Sequence, residues 1–187
     1  MTWSEAGIAR AVSLQLLQRK CIVMVDNCNW TGHECDILAV TMDLRIIDIE
    51  VKISRADLKA DAAKDKWWHR MDWCQANAAG LIKPGERWDP WAHKTPRDWP
   101  PKVWKHYYAL PADIWKPELI DALPSARSGV LLLEQRVSAF TPVVVKCLRR
   151  ATPNRDAAKI KPESAIDIAR LANLRMWEAY KKLANVS

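Results

Sequence analysis

The stretch IIDIEVKIS, residues 46–54, alternates as a β-strand does and places three charged side chains on one of its two faces. Because successive side chains of a strand point to opposite faces, Asp48, Glu50 and Lys52 share one face. The other face is wholly apolar and comprises Ile47, Ile49, Val51 and Ile53. A charged face is usually a solvated face, and that is the simplest interpretation. Two carboxylates and an ammonium group in a row could also form a functional site.

The length and composition of the chain predict a single globular domain, residues 1–187. Of the 187 residues 49% are apolar, which is enough for a sizeable core. No run of about 20 apolar residues could span a bilayer, and the N-terminus lacks the pattern of a signal peptide. We therefore expect a soluble, cytoplasmic protein that does not act at a membrane.

The charge balance raises the odds of a polyanionic partner. Lysine and arginine number 29 against 22 aspartate and glutamate residues, so the net charge is +7 and the pI is about 9.3. A basic surface binds polyanions through counterion release and favours no particular sequence. Eleven residues are tryptophan, and several of them lie within or beside one proline-rich stretch.

The five cysteines form no paired motif, and in a cytoplasmic chain they are expected to be reduced thiols. Cys28, His33 and Cys35 lie close enough in the sequence to raise the question of zinc. Their spacing matches no common zinc motif, and a fourth ligand is not evident. Ordinary buried thiols are the favoured interpretation.

The pattern of apolar residues predicts a helix at each end of the chain, a third after the opening stretch, and six strands. Ser4 is a suitable N-cap for a first helix that runs to about Lys20. Ser54 caps a second helix that continues to just before Gly80. The last helix spans about 162–184. The predicted strands are 21–25, 35–41, 46–54, 103–111, 129–134 and 142–150.

Residues 78–102 interrupt this regular pattern. They are rich in proline and tryptophan and show little periodicity, which predicts an insertion loop longer than compact domains usually carry. Strands in runs, with helices on either side of them, indicate an α/β architecture with a mixed central sheet flanked by helices.

The second and third strands should form an antiparallel hairpin, because a tight turn joins them. Asp36 then lies close to the level of Glu50. Two carboxylates at that position can hold a hard divalent cation through oxygen ligands. Lys52, on the face of Glu50, can orient a water molecule or balance the charge of a phosphate. This combination suits hydrolysis of a phosphodiester bond.

Asp36 followed by Glu50-x-Lys52 at the end of an apolar strand resembles the PD-(D/E)xK nuclease superfamily. The resemblance implies a restriction-endonuclease-like αβββαβ core and a metal-dependent DNA endonuclease that uses Mg²⁺ or Mn²⁺. Asp36, Glu50 and the backbone carbonyl of Val51 would bind the metal, and Lys52 would position the attacking water. Glu5 matches the glutamate on the first helix of the branch that is similar to Holliday-junction resolvases. Cys35 stands where the family usually has proline.

A more specific resemblance is to the MmcB-type DNA repair branch of that superfamily. It rests on the segments EVKISRADLKAD, YYALP and GVLLL, and on the C-terminal segment AAKIKPESAIDIARLANLRMW. The resemblance covers most of the chain and fails at residues 75–102. It implies a substrate defined by DNA structure or damage, and resolvase-like relatives often work as homodimers.

Several further residues are candidates for the site or for contact with DNA. Glu34 shares a face with Asp36, and Asp48 shares one with Glu50, so either could join the metal site or simply be solvated. Cations that alternate with tryptophans suit unstacked bases flanked by phosphates, although these tryptophans could equally form a small core. The predicted DNA-binding residues are Lys66, Arg87, Trp88, Trp91, Lys94 and Arg97.

A second class of function is compatible with the same residues. A non-catalytic nucleic-acid- or protein-binding module on a nuclease fold could use the tryptophan-rich loop as its interaction surface. The presence of Asp36, Glu50 and Lys52 together argues against it, since a binding module needs no such set.

Overall fold

Six strands of the computed structural model, which describes residues 2–83, 85, 87–136 and 142–184, form one mixed sheet. The strand order is β1-β2-β3-β6-β7-β8. β3, β6 and β7 are parallel to one another, and the other neighbours are antiparallel. The strands are β1 (Cys21–Cys28), β2 (Cys35–Thr41), β3 (Ile46–Val51), β6 (Lys105–Pro111), β7 (Gly129–Gln135) and β8 (Val143–Arg149). The mixed α/β architecture with a mixed sheet is thus confirmed.

The central strand β3 is buried on both faces. All six of its residues are buried, and so is Lys52 directly after it. Asp48 and Glu50 are each 0% exposed. The charged face of the opening stretch is therefore an interior face, and the simple interpretation of a solvated face is wrong.

Helices cover the two faces of the sheet. The first helix, α1 (Glu5–Val12), starts at the Ser4 cap and packs Ile8 and Val12 against the apolar face of β3. It continues to Leu17 as a π-helical turn, slightly short of the predicted end. The C-terminal helix, α4 (Pro162–Ala184), packs Ile168 against the opposite face, among residues of β2. The described residues contain no helix long and apolar enough to cross a membrane.

The hairpin of β2 and β3 has the predicted register. Ile37 lies opposite Ile49, and Leu38 lies opposite Asp48, which places Asp36 level with Glu50. A turn closes the hairpin, with Leu44 at φ 61° and the Thr41 N–H donating to the carbonyl of Arg45. The predicted hairpin of β7 and β8 is also present as an antiparallel pair.

The prediction of a long helix after Ser54 is wrong beyond the first turns of that helix. Ser54 caps it as predicted, but α2 (Arg55–Ala60) is followed by 3₁₀ turns at Asp61–Ala63 and Asp65–Trp67 and by a short strand, β4 (Trp68–His69). Asp61 and Trp67 are both buried and bonded to each other. Residues six apart on a helix lie about 120° apart around its axis and about 9 Å apart along it, so these two side chains could not meet on a continuous helix.

The insertion is largely irregular in its described residues. A third helix, α3 (Trp73–Ala78), ends just before Gly80, which has φ 68°. A two-residue strand, β5 (Thr95–Pro96), pairs with β4. Between them the described residues form turns and irregular structure, as the proline-rich composition of residues 78–102 predicted. These contacts attach the insertion to the segment that follows β3.

Candidate metal centre

A cavity of about 400 Å³ lies where β3 ends. It brings together five of the residues that the sequence singled out for catalysis, metal binding or DNA contact, namely Glu5, Asp36, Val51, Lys52 and Lys66. His33, Glu34 and Lys64 also line it. The cavity is thus lined by residues from α1, from the start of β2, from the end of β3 and from the segment after α2.

The carboxylate of Asp36 is tied to the backbone of β3. The Val51 N–H donates to Asp36 Oδ2 at 2.6 Å, which holds the side chain beside Glu50. Burial and the negative charge of Glu50 raise the pKa of Asp36 to about 6, against the opposing effect of that hydrogen bond and of Lys52 and Lys64. A raised carboxyl pKa marks a place where a further positive charge would be favourable.

The carboxylate of Glu50 is surrounded by ammonium groups. Lys66 Nζ donates to Oε1 at 2.5 Å, while Lys52 Nζ and Lys64 Nζ donate to Oε2 at 3.0 and 2.9 Å. Burial raises the pKa of Glu50, but the positive charges of Lys66 and Lys52 outweigh it, so the pKa lies below its ordinary value. Glu50 is therefore an anion at neutral pH.

Asp61 belongs to the same network of charged side chains as Glu50 and its three lysines. Its Oδ1 lies 3.0 Å from Lys52 Nζ and 2.9 Å from Lys64 Nζ. Its Oδ2 accepts hydrogen bonds from Trp67 Nε1 at 2.9 Å and from the Tyr108 hydroxyl at 2.6 Å. No pattern in the sequence indicates this role, because Asp61 lies within a predicted helix and Tyr108 lies 47 residues away.

Asp48 occupies the interior end of the network. Its Oδ2 lies 3.1 Å from His33 Nε2, 3.8 Å from Lys66 Nζ and 3.9 Å from His106 Nε2. Burial lowers the pKa of His106 to about 4, so its ring is neutral at pH 7. Asp48 Oδ1 and His106 Nε2 are buried without a hydrogen-bond partner among the described residues.

Two groups of side chains could hold a metal ion in the described part of the chain. They are His33, Cys35 and Asp48, and Asp48, Glu50 and His106, with the ligand atoms of each group within 4.8 Å of one another. For Glu50 to bind a metal, a lysine has to leave its carboxylate. Lys64 can do so, because its side chain is 47% exposed whereas those of Lys52 and Lys66 are buried.

The predicted DNA-binding residues of the insertion are partly engaged with the protein itself. Arg97 Nε donates to the carbonyl of Trp68 at 2.9 Å. Lys94 Nζ lies 4.1 Å from the centre of the Trp68 ring. The guanidinium of Arg70 lies over the ring of Trp91, 3.9 Å from the ring centre. Each of these contacts uses a cation or an aromatic face that the loop would otherwise present to a partner.

The remaining predicted positions lie elsewhere. Trp88 stacks on His93, with ring centres 5.7 Å apart, and it lines a small cavity together with Arg87. Lys66, predicted to contact phosphate, lines the cavity at Asp36, where it is buried and donates to Glu50. Its polar environment could not be anticipated while it stood on a predicted exposed helix.

A larger groove of about 1090 Å³ runs between the insertion and the start of α4. Its lining includes two tryptophans and several cations, namely Trp30, Trp99, Arg97, Lys102, Lys159 and Lys161. His69 also lines it, and Asp65 and Lys66 line the cavity at Asp36, so the segment 65–69 borders both. Asp98 and Asp156 also line the groove, but its cations outnumber them, so the groove is basic as well as aromatic.

Comparison with known proteins supports the fold and leaves the activity open. No protein-family model matches the sequence, and no curated protein is significantly similar to it. A solved structure of a protein of unknown function from Silicibacter pomeroyi is similar, with a TM-score of 0.54 and 17% sequence identity. The similarity covers 98% of this chain and 94% of that chain. At this identity it concerns the fold alone.

The raised pKa of Asp36 predicts a specific dependence of stability on pH. The folded state holds the proton of Asp36 more tightly than the unfolded state, whose carboxyl has the ordinary value of 3.8. The stabilisation from protonation is therefore complete below about pH 3.8 and lost as the pH rises through about 6. Asp36→Asn should remove this dependence.

The measurement is the free energy of unfolding in urea for both proteins between pH 4 and 8. The difference, wild type minus variant, should fall as the pH rises to about 6 and then stay constant. The lowered pKa of His106 makes the free energy of unfolding rise with pH, in the opposite direction to the effect of Asp36. This contribution is present in both proteins, so it cancels in the difference. A difference that does not change across this range would contradict the assigned environment of Asp36.

Proposed function

We propose that the protein is a metal-dependent deoxyribonuclease with a restriction-endonuclease-like core of the PD-(D/E)xK type. The observation that carries the proposal is the hydrogen bond from the Val51 N–H to Asp36, which lines the cavity and lies near enough to the buried Glu50 for that negative charge to raise the pKa of Asp36. The order α1, β1, β2, β3, α2, β6 supports the same core.

The residues present fit a hard divalent cation. Asp36, Glu50 and the carbonyl of Val51 would hold Mg²⁺ or Mn²⁺, and both cations prefer oxygen ligands. Glu5, which lines the cavity, would hold a second ion or a water molecule. When bound, such an ion stabilises negative charge that develops on the phosphate. The raised pKa of Asp36 supports this assignment, since a cation would favour the carboxylate.

The lysines have separate tasks in this proposal. Lys52 Nζ, held between Glu50 and Asp61, is positioned to orient the attacking water at the cavity. Lys66 keeps Glu50 ionised from the interior side. Lys64 is half exposed, so it can turn from Glu50 to the phosphate of a bound substrate. Each role follows from the burial and partners of that side chain.

The proposed substrate is DNA with a branch, a lesion or a single-stranded flank. The basic and aromatic groove next to the cavity supports this, because lysines can contact phosphates while a tryptophan face stacks on an unpaired base. Trp30 and Trp99 lie in that groove together with Lys102, Lys159 and Lys161. We assign these residues to DNA binding in addition to the cations of the insertion.

A cleavage panel tests the proposal. Duplex, single-stranded, flapped, mismatched and four-way DNA are incubated with the protein in Mg²⁺, in Mn²⁺ and in excess chelator. We expect metal-dependent cleavage of at least one non-duplex substrate, which Lys52→Ala abolishes with little loss of DNA affinity. Absence of cleavage on every substrate with either metal would reject the nuclease assignment.

A second candidate function is a non-catalytic DNA-binding module. It is favoured by one observation: three lysines already neutralise Glu50 without any metal. Calorimetric titration with Mg²⁺ or Mn²⁺ separates the two functions. A module of this kind should bind DNA but take up no metal that depends on Asp36.

A further inference from the structure

Three side chains at the interior end of the charged network form a compact group that the proposed reaction does not use. His33 Nε2 lies 3.1 Å from Asp48 Oδ2 and 3.7 Å from Cys35 Sγ. The ligand atoms of the three residues all lie within 4.8 Å of one another. Cys35 and Asp48 are each 0% exposed, and His33 lines the cavity of about 400 Å³.

The spacings match the edges of a metal-centred tetrahedron. Zinc binds nitrogen or oxygen at about 2.0–2.1 Å and sulfur at about 2.3 Å with tetrahedral angles. Such a site separates nitrogen from oxygen by about 3.3 Å and nitrogen from sulfur by about 3.6 Å. The observed separations of 3.1 and 3.7 Å differ from these values by only a few tenths of an ångström.

Some atoms of this group are still available to bind an ion. Asp48 Oδ1 is buried and has no hydrogen-bond partner among the described residues, so a carboxylate oxygen is free at the group. Among the described residues, the hydrogen-bond partners of Cys35 Sγ are Thr31 Oγ1 at 3.5 Å, the ring and carbonyl of His33, and the carboxylate of Asp48. Hydrogen bonds to sulfur are weak, so Cys35 and Asp48 would both gain from a cation.

The summed charge of the neighbouring side chains is compatible with a bound divalent ion. The carboxylates of this network outnumber the lysines, five against three, so their charges sum to 3 − 5 = −2; these residues are Asp36, Asp48, Glu50, Asp57, Asp61, Lys52, Lys64 and Lys66. A divalent ion with the thiolate of Cys35 adds +2 − 1 = +1 and reduces this excess of negative charge. Lys66 faces Asp48 at 3.8 Å and keeps its closer contact with Glu50.

We propose that His33, Cys35 and Asp48 form a binding site for a thiophilic transition-metal ion of the Zn²⁺ type. Binding displaces the thiol proton of Cys35 to solvent, and His33 Nε2, Cys35 Sγ and one oxygen of Asp48 become ligands. Water from the cavity takes the fourth position. The site is separate from the oxygen-ligand site at Asp36, and it does not depend on the proposed nuclease activity.

Cobalt substitution tests the site through its spectrum. The chelator-treated protein is titrated with Co²⁺, which reports a thiolate ligand by charge-transfer absorption and tetrahedral geometry by intense visible bands. We expect both signals at one equivalent, and we expect Zn²⁺ to abolish them by displacement. A wild-type titration without charge-transfer absorption would overturn the proposal, because it would show that Cys35 is not a ligand.

Variants of two of the three proposed ligands assign the signal. Cys35→Ser and, independently, His33→Asn should each weaken Co²⁺ binding at least about tenfold, and Cys35→Ser should also remove the charge-transfer absorption. His33→Asn is the safer of the two for folding, since that side chain is partly exposed. A charge-transfer band that persists in Cys35→Ser, or unchanged affinity in a folded His33→Asn, would overturn the assignment.

Two matched controls separate this site from its surroundings. Cys28 is a buried thiol opposite Cys35 in β1, and Cys28→Ser should leave the spectrum unchanged. Asp36→Asn removes a ligand of the proposed Mg²⁺ site, and it should likewise leave the cobalt spectrum unchanged. Loss of the signal in either variant would place the ion elsewhere.

Discussion

Asp36→Asn is expected to reduce metal-dependent DNA cleavage by at least about 100-fold. Loss of a residue that only supports a metal ligand already costs up to about 100-fold, and Asp36 is proposed to be a ligand itself. The asparagine oxygen can still accept the hydrogen bond from the Val51 N–H, so the backbone contact is preserved. What the variant loses is the negative charge that would hold the ion beside Glu50. Cleavage rates at saturating DNA and metal, with circular dichroism to confirm folding, measure the effect.

Asp43→Asn is the matched control for this prediction. Asp43 lies in the turn of the same hairpin, where it accepts a hydrogen bond from Thr41 Oγ1 and pairs with Arg45. It does not line the cavity at the end of β3. Its loss should leave the cleavage rate unchanged within about twofold. Equal rates for Asp36→Asn and Asp43→Asn would exclude Asp36 from the chemistry.

Glu50→Ala is expected to lower the free energy of unfolding by about 3–5 kcal/mol, because it removes the closest counter-ion of the buried Lys66 and one of the two closest counter-ions of the buried Lys52. Lys66 and Lys52 are both buried and each donates to Glu50. A loss of this size is a large part of the stability of an ordinary domain. Unfolding in urea, followed by fluorescence of the tryptophans, measures the change.

Two further variants show whether the uncompensated charge is the cause. Glu50→Gln combined with Lys66→Met removes one charge of each sign, and it should recover part of the stability that Glu50→Ala loses. Lys64→Met removes a half-exposed partner of Glu50 and should cost about 1 kcal/mol or less. A Glu50→Ala protein as stable as Lys64→Met would contradict the network as described.

The sequence was sufficient to predict the hairpin that positions the candidate site. The alternation in residues 46–54 and the tight turn before them determine the register, and the register determines that Asp36 is level with Glu50. The Ser54 cap and the position of α4 were also predictable, because each depends on residues near in sequence, and the irregular insertion was predictable from its composition. The roles assigned to these residues in catalysis remain predictions.

The buried network could not be predicted in the same way. Asp61, Lys64 and Lys66 are polar residues in a segment with helix-forming composition, and local pattern places such residues on an exposed helix face. The burial of Trp67 and the hydrogen bond from Tyr108 to Asp61 turn this segment inward. Contacts of this kind join distant parts of the chain, so a single sequence holds no periodic signal for them.

The parallel pairing of β3 with β6 holds both ends of the connection between these two strands in place. Ile47 to Val51 pair with Lys105 to Ala109, and the Lys52 N–H donates to the carbonyl of Ala109. These bonds do not depend on the length of the connection. Doubling a flexible connection costs only about 0.6 kcal/mol of closure entropy. A longer insertion within residues 78–102 would therefore cost little stability and would leave Glu50 and Lys52 in their positions.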